Sequence, residues 1–283
     1  MTLNRTCGTY VAVFVVVGVL ATGCAGTETA VPEYSVETSW GSVFEHEGVT
    51  GTFVLDEVGT DEAPMVYDVK YMRRDVAPAE TFKLFATLVA LSADILPDLD
   101  TELEWDGEGP EVPPWNRTHS LRSALDGEAE WFYAQVVDLV GEDPFEVWLD
   151  RAGYGNINLR GSRSAFWSDG TLTIDAFQMA RFYADVFSDD PTFDRYAVFD
   201  VRDLMRTEEG DGWKLTWYTG TDDSVYGAAV GWLVGAVETD DGTWGVAMNV
   251  DLPSDAGLDL DLRKRITLAV LESQGIIPTA TDI

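Results

Sequence analysis

The chain has 283 residues, 18 basic and 50 acidic, for a formal charge of −32 at neutral pH. That charge excludes nucleic acid and anionic membrane surfaces as electrostatic partners. A hydrophobic fraction of 46% and an aromatic fraction of 12% exclude a disordered acidic tail and suffice for one large domain or two packed subdomains. The only lysines are Lys70, Lys83, Lys214 and Lys264. An acidic, lysine-poor surface stays solvated when salt is high, so the composition points to a salt-adapted (halophilic) source, with an acidic extracellular protein as the plainer alternative.

Residues 1–24 read as a targeting segment. Arg5 is the only charge ahead of an apolar run from Val11 to Leu20, which is short for a membrane span. Leu20-Ala21-Thr22-Gly23-Cys24 follows, small residues abutting a cysteine, which resembles a lipoprotein signal with lipidation of Cys24; an uncleaved anchor is the alternative. Cys7 is lost with such a leader, leaving no internal disulfide. Residues 25–38, small, polar and acidic, read as a tether, and 39–283 as the folded domain.

Gly51-Thr52-Phe53-Val54-Leu55 and Val66 to Tyr71 predict a strand pair across an acidic turn holding Gly59. The next stretch, Pro78-Ala79-Glu80-Thr81-Phe82-Lys83, runs into Leu84 to Leu91 without Gly or Pro and predicts a buried helix from Thr81 to about Ala93. Lys83 falls in its first turn, where a cation is poorly placed for the helix dipole. In serine acyl-transferring enzymes a lysine there serves a nucleophile one turn earlier, in the pattern S-x-x-K. Here that position is Glu80, and no other lysine has a serine three residues before it.

Asp98 to Asp106 reads as an acidic loop, and Pro110, Pro113 and Pro114 keep the chain irregular up to Trp115. Asn116-Arg117-Thr118 is a weak glycosylation-type sequon. Helices are predicted over Glu128 to Leu139, Pro144 to Arg151 (closed by Gly153) and Ile174 to Phe187. The period then changes: Gly212 to Thr219, Ala228 to Val237 and Thr243 to Val250 alternate like strands, with Asp240-Asp241-Gly242 as a hairpin turn. A last helix covers Leu262 to Ser273 and stops at Gly275. The fold class is therefore α+β: an antiparallel sheet covered by helices, plus an all-α subdomain.

Across nearly the whole of this domain the sequence resembles the class D (oxacillinase-type) serine β-lactamases and the related β-lactam sensor domains. The resemblance rests on Gly51 to Leu55, Pro78 to Lys83, Trp105-Asp106-Gly107, Leu121-Arg122-Ser123-Ala124, Tyr154-Gly155-Asn156, Phe166-Trp167, Val230-Gly231-Trp232 and Leu262-Arg263-Lys264. It implies the serine β-lactamase and transpeptidase fold, with no cofactor. It also implies a catalytic set that is missing residue by residue. The nucleophilic serine falls on Glu80, the S-x-V serine on Glu128 of Glu128-Ala129-Glu130, and the K-[ST]-G lysine on Tyr218 of Tyr218-Thr219-Gly220. Lys83, carbamylated in the family, is kept, as are Trp167 beside it, Thr219, Gly220 and the Asn156 turn. Arg263 matches the arginine that holds the substrate carboxylate.

Glu80 and Lys83, at i and i+3, are placed to pair directly, favouring the ammonium and disfavouring a carbamate. Glu80, Glu128 and Glu130 face one cleft by this mapping. They suit a cation site formed by Glu80 and Glu128, an acid/base pair, or a solvated relic neutralised by Lys83 and Arg263. His46 and His119 have no zinc-like spacing, and no metal is assigned. The leading reading is a lipid-anchored, extracytoplasmic, non-acylating domain. It would bind or sense a β-lactam-like or carboxylate-bearing small molecule, or a cell-envelope protein. The alternatives are a hydrolase using the acidic site and a scaffold whose cleft is filled by side chains.

Overall fold

The computed structural model describes residues 34–105, 107, 112–162, 165–223, 229–252 and 260–279. The leader, Cys24 and most of the 25–38 segment lie outside the described residues. Among the described residues no helix is long and apolar enough to cross a membrane.

The chain enters through Ser35–Val36 (β1) and Gly41–Glu47 (α1), then forms Gly51–Glu57 (β2), Met65–Tyr67 (β3) and Val69–Met72 (α2). A 3-10 turn, Ala79–Thr81, leads into Phe82–Ser92 (α3). Glu102–Leu103 (β4) and His119–Ser120 (β5) form a small antiparallel pair. The helical block continues with Leu121–Asp126 (α4), Glu130–Val140 (α5), Glu142–Arg151 (α6), Ala176–Val186 (α7) and Arg195–Leu204 (α8). Arg206–Gly210 (β6), Trp213–Asp222 (β7), Val230–Thr239 (β8), Thr243–Asp251 (β9) and Leu260–Gln274 (α9) complete it.

Among these residues the main sheet has seven strands in the order β1-β3-β2-β9-β8-β7-β6, antiparallel except for β1 against β3. Strand alternation divides the core in two. Phe53, Leu55, Leu215, Trp217, Leu233, Met248 and Val250 pack with Phe44 of α1 and Ile266, Val270 and Leu271 of α9. Val54, Val234, Ala236 and Ala247 point the other way, toward α7 and the helical block. The expected architecture, a helix-covered antiparallel sheet with an all-α part, is the one observed.

Helix α3 is apolar all round because it runs through the middle of that second core, buried from Phe82 to Ala90. Phe82 stacks on Trp167 with ring centroids 5.2 Å apart and planes 8° from parallel, and Phe85 lies 4.4 Å from Tyr154. Aromatic pairs of this kind each add about 0.5–1.5 kcal/mol beyond the area they bury. The start of α3 is thereby fixed, and Lys83 with it.

The structure departs from the sequence expectations at several points. The sheet already begins at Ser35, inside the segment read as tether. Strand β3 ends at Tyr67 rather than Tyr71, because Asp68, at φ 50°, accepts hydrogen bonds from the N–H groups of Lys70 and Tyr71 and starts α2. Glu128 lies outside α5: at φ 55° it sits in the preceding turn, donating its N–H to Leu125 O. The acidic loop contains β4, and α1, α8 and β6 were not anticipated.

Candidate functional site

The residues singled out by sequence gather where the Ala79–Thr81 turn meets strand β7. Ala77 N–H donates to Asp222 Oδ2 (2.9 Å), and Trp232 Nε1–H donates to Ala77 O (2.9 Å). Ala79 N–H donates to Trp167 O (2.9 Å), and Thr81 Oγ1 to Pro78 O (2.6 Å). These bonds lace the turn to β7, β8 and the Phe166-Trp167 segment. They hold Ala79 at φ 50°, a left-handed conformation that costs a non-glycine residue about 1–3 kcal/mol and persists only where surroundings impose it. The strained residue immediately precedes Glu80. Gly220 makes the approach feasible: a Cβ there would lie 3.1 Å from Pro78 O and 3.2 Å from Glu80 N.

Glu80 does not pair with Lys83. Its Oε2 accepts the backbone N–H of Thr221 at 2.7 Å, and no ion pair joins it to Lys83 among the described residues. The reason lies in the sheet. The pairing of β6 with β7 stops at Arg206 opposite Trp217, so β7 from Tyr218 onward has a free edge. Thr221 N–H would be left without a strand partner there, and a carboxylate at fixed distance satisfies it with a charge-assisted bond.

Lys83 is 2% exposed, and its amine makes no hydrogen bond or ion pair with another described residue. Burial pushes its pKa below the usual lysine range; Glu80, Glu128 and Glu130 oppose this without reversing it. The expectation of a direct Glu80–Lys83 pair is therefore corrected: Glu80 is held by Thr221, and burial of Lys83 disfavours its charged form. Glu130, at the first position of α5, is half-buried, and burial raises its carboxyl, helped by Glu80, Glu128 and Asp223 and opposed by Lys83. Glu128 is exposed.

Tyr218 faces the helical side of the sheet, and burial, with Glu128 and Glu80, pushes its phenol well above the ordinary tyrosine range. A neutral phenol thus stands where the resemblance places a lysine. Thr219, opposite Leu233, alternates to the other face of β7. Arg263 is 0% exposed on α9 and was expected to hold a ligand carboxylate. Its Nη1 donates to Gly220 O (2.8 Å) and Trp232 O (3.2 Å), and its Nη2 to Thr221 Oγ1 (2.7 Å). Gly231 gives it room, since a Cβ there would lie 2.6 Å from Arg263 Nε. The guanidinium is thus buried and bonded to the strand backbone and Thr221.

Asn156 accepts from Thr173 N–H (3.2 Å) and donates Nδ2 to Thr171 O (2.9 Å), pinning its turn. His119 is buried between Ser123 Oγ (3.0 Å) and Pro114 O (3.1 Å), away from any acid cluster. Among the described residues no group of three or more His, Cys, Asp or Glu side chains could hold a metal ion. Sequence reasoning missed Thr221 and Asp222, the partners that fix the turn. Their one signal was position, directly after Tyr218-Thr219-Gly220.

A family model described as the penicillin binding protein transpeptidase domain matches residues 51–272. The chain belongs to that family. A relative named as a probable β-lactamase, YbxI, of Bacillus subtilis strain 168 is 32% identical over 82% of this chain and 84% of its own length. The solved class D β-lactamase YbXI from Nostoc is 26% identical with a TM-score of 0.74, covering 85% of this chain and 100% of that one. The C-terminal domain of the Bacillus licheniformis BlaR penicillin-receptor is 28% identical with a TM-score of 0.72, covering 86% and 97%. The chain is thus a class D β-lactamase-like member of the transpeptidase family, with glutamate in the turn where the resemblance places serine.

Proposed function

We propose that this chain is a lipid-anchored domain of the extracytoplasmic surface that recognises a penicillin-like or other carboxylate-bearing ligand without being acylated by it. It would act in binding or sensing, or in assembly with a cell-envelope protein. The observation that carries the reading is Glu80, held by Thr221 N–H at 2.7 Å in the turn ahead of α3. A carboxylate attacking a β-lactam carbonyl would have to form an anhydride, far less stable than the ester a serine gives, so acylation is disfavoured at this position. The likeness to a penicillin receptor supports sensing. The lipid anchor is proposed from the small residues abutting Cys24.

One observation favours the alternative, a hydrolase with altered chemistry. Burial moves Lys83 down and Glu130 up in the same cleft, the arrangement of an acid/base pair. Equilibrium dialysis with labelled benzylpenicillin, followed by denaturing electrophoresis and assay of the free drug, separates the two. Saturable label that is lost on denaturation, with the drug recovered intact, is the expected result. Label surviving denaturation overturns the non-acylating reading, and steady loss of drug supports the hydrolase.

A further inference from the structure

The bond between Glu80 and Thr221 gives the turn a second role. Thr221 is gripped from both sides of its strand: Oγ1 accepts from the buried Arg263 and N–H is taken by Glu80. The backbone on each side of the contact is fixed, the turn by Asp222, Trp232 and Trp167, and the strand by its pairing with β8. The contact between these two fixed segments is made by the Glu80 side chain.

An unpaired N–H at a strand edge is a place where an incoming carbonyl or carboxylate oxygen binds, because it offers a preorganised donor with no reorganisation cost. Here that donor is already satisfied by an oxygen of the chain itself. We infer that Glu80 is an internal ligand: its carboxylate fills the oxygen-binding position on the free edge of β7, and an external ligand enters only by displacing it. The inference deepens the proposed ligand-binding reading and rests on it for its meaning, though not for its test.

The consequence for ligand class follows from charge. A weak neutral acceptor exchanges poorly against a charge-assisted bond. Glu128 and Glu130 add negative charge to the same cleft, so the displacing oxygen must come with further contacts elsewhere on the molecule. The displaced carboxylate has a candidate partner in the Lys83 amine, which already feels its charge. Binding therefore exchanges one Glu80 contact for another, and the cleft has a closed arrangement with Glu80 on Thr221 and an open one with Glu80 on Lys83.

The test uses the isotope-labelled full chain and follows the Thr221 amide by NMR, with the other β7 amides as a folding control. In Glu80→Ala the Thr221 amide should shift and its solvent exchange should speed up by about tenfold or more. Glu80→Gln, which keeps size and a neutral acceptor, should fall between. Acetate added to Glu80→Ala should move the Thr221 resonance back toward its wild-type position with saturation, while the wild-type chain ignores acetate. A Thr221 amide unchanged by Glu80→Ala, or acetate shifts equal in wild type and variant, overturns the inference. No step uses penicillin: failure of the wild type to bind benzylpenicillin with acetate rescue intact defeats the proposed function and leaves the internal ligand standing.

Discussion

Replacing Arg263 with methionine keeps an unbranched side chain of similar reach and removes the guanidinium. The two carbonyls and one hydroxyl it serves, Gly220 O at 2.8 Å, Trp232 O at 3.2 Å and Thr221 Oγ1 at 2.7 Å, then lose their donor. Each of these acceptors loses a bond to a charged donor, and the apolar methionine recovers part of the loss by staying buried. Hydrogen bonds to a charged group contribute about 1.5–3 kcal/mol, and Arg263→Met should fall in that range. Against a total stability of about 5–15 kcal/mol the variant keeps a reduced but measurable margin. Urea unfolding followed by tryptophan fluorescence and far-ultraviolet circular dichroism, at one fixed salt concentration, measures it. Arg263→Lys, with a compact ammonium in place of a fork, should lie between the two. A loss below about 1 kcal/mol at unchanged m-value would refute the argument, because it would mean these bonds contribute little and the guanidinium is available to a ligand.

Gly231→Ala presses a methyl against the same group, 2.6 Å from Arg263 Nε and 3.0 Å from Leu252 Cδ2, and should cost about 1–3 kcal/mol by urea unfolding. In the Arg263→Met background that cost should shrink, a coupling that a double-mutant cycle reads directly. Glu130→Gln tests the acidic cleft. Burial holds the Glu130 carboxyl above its unfolded value, so its contribution to stability is present below the unfolded pKa and lost as pH rises through the folded one. The variant's stability relative to wild type should therefore rise with pH across the carboxylate range and then level off; a relative stability that falls over that range contradicts the assigned cause.

Much of the architecture was legible because its apolar pattern is strong. Strands β8 and β9 are apolar runs joined by the Asp240-Asp241-Gly242 turn and buried on both faces, and α3 continues apolar from Leu84 without Gly or Pro. Elements that escaped notice lack such a pattern. Strand β6, Arg-Thr-Glu-Glu-Gly, is polar throughout because it is an edge, and α8 carries Tyr196 and Phe199 exposed to solvent. Site positions were legible as a frame, and what each group does there was not. Glu80 and Lys83 satisfy the helical i, i+3 rule, yet the partner that wins is a backbone N–H 141 residues away. Such pairing is decided by the free edge of a sheet, which local spacing does not encode. Arg263 was likewise read by position alone, while its burial depends on Gly231 on the neighbouring strand.

The central claim is that Glu80 ends acylation in a fold that otherwise keeps the frame for it. Intact-mass measurement of the domain after prolonged incubation with benzylpenicillin, in high and in ordinary salt, tests this most directly. The account predicts an unmodified mass in both. A stable adduct of one penicillin per chain would contradict it.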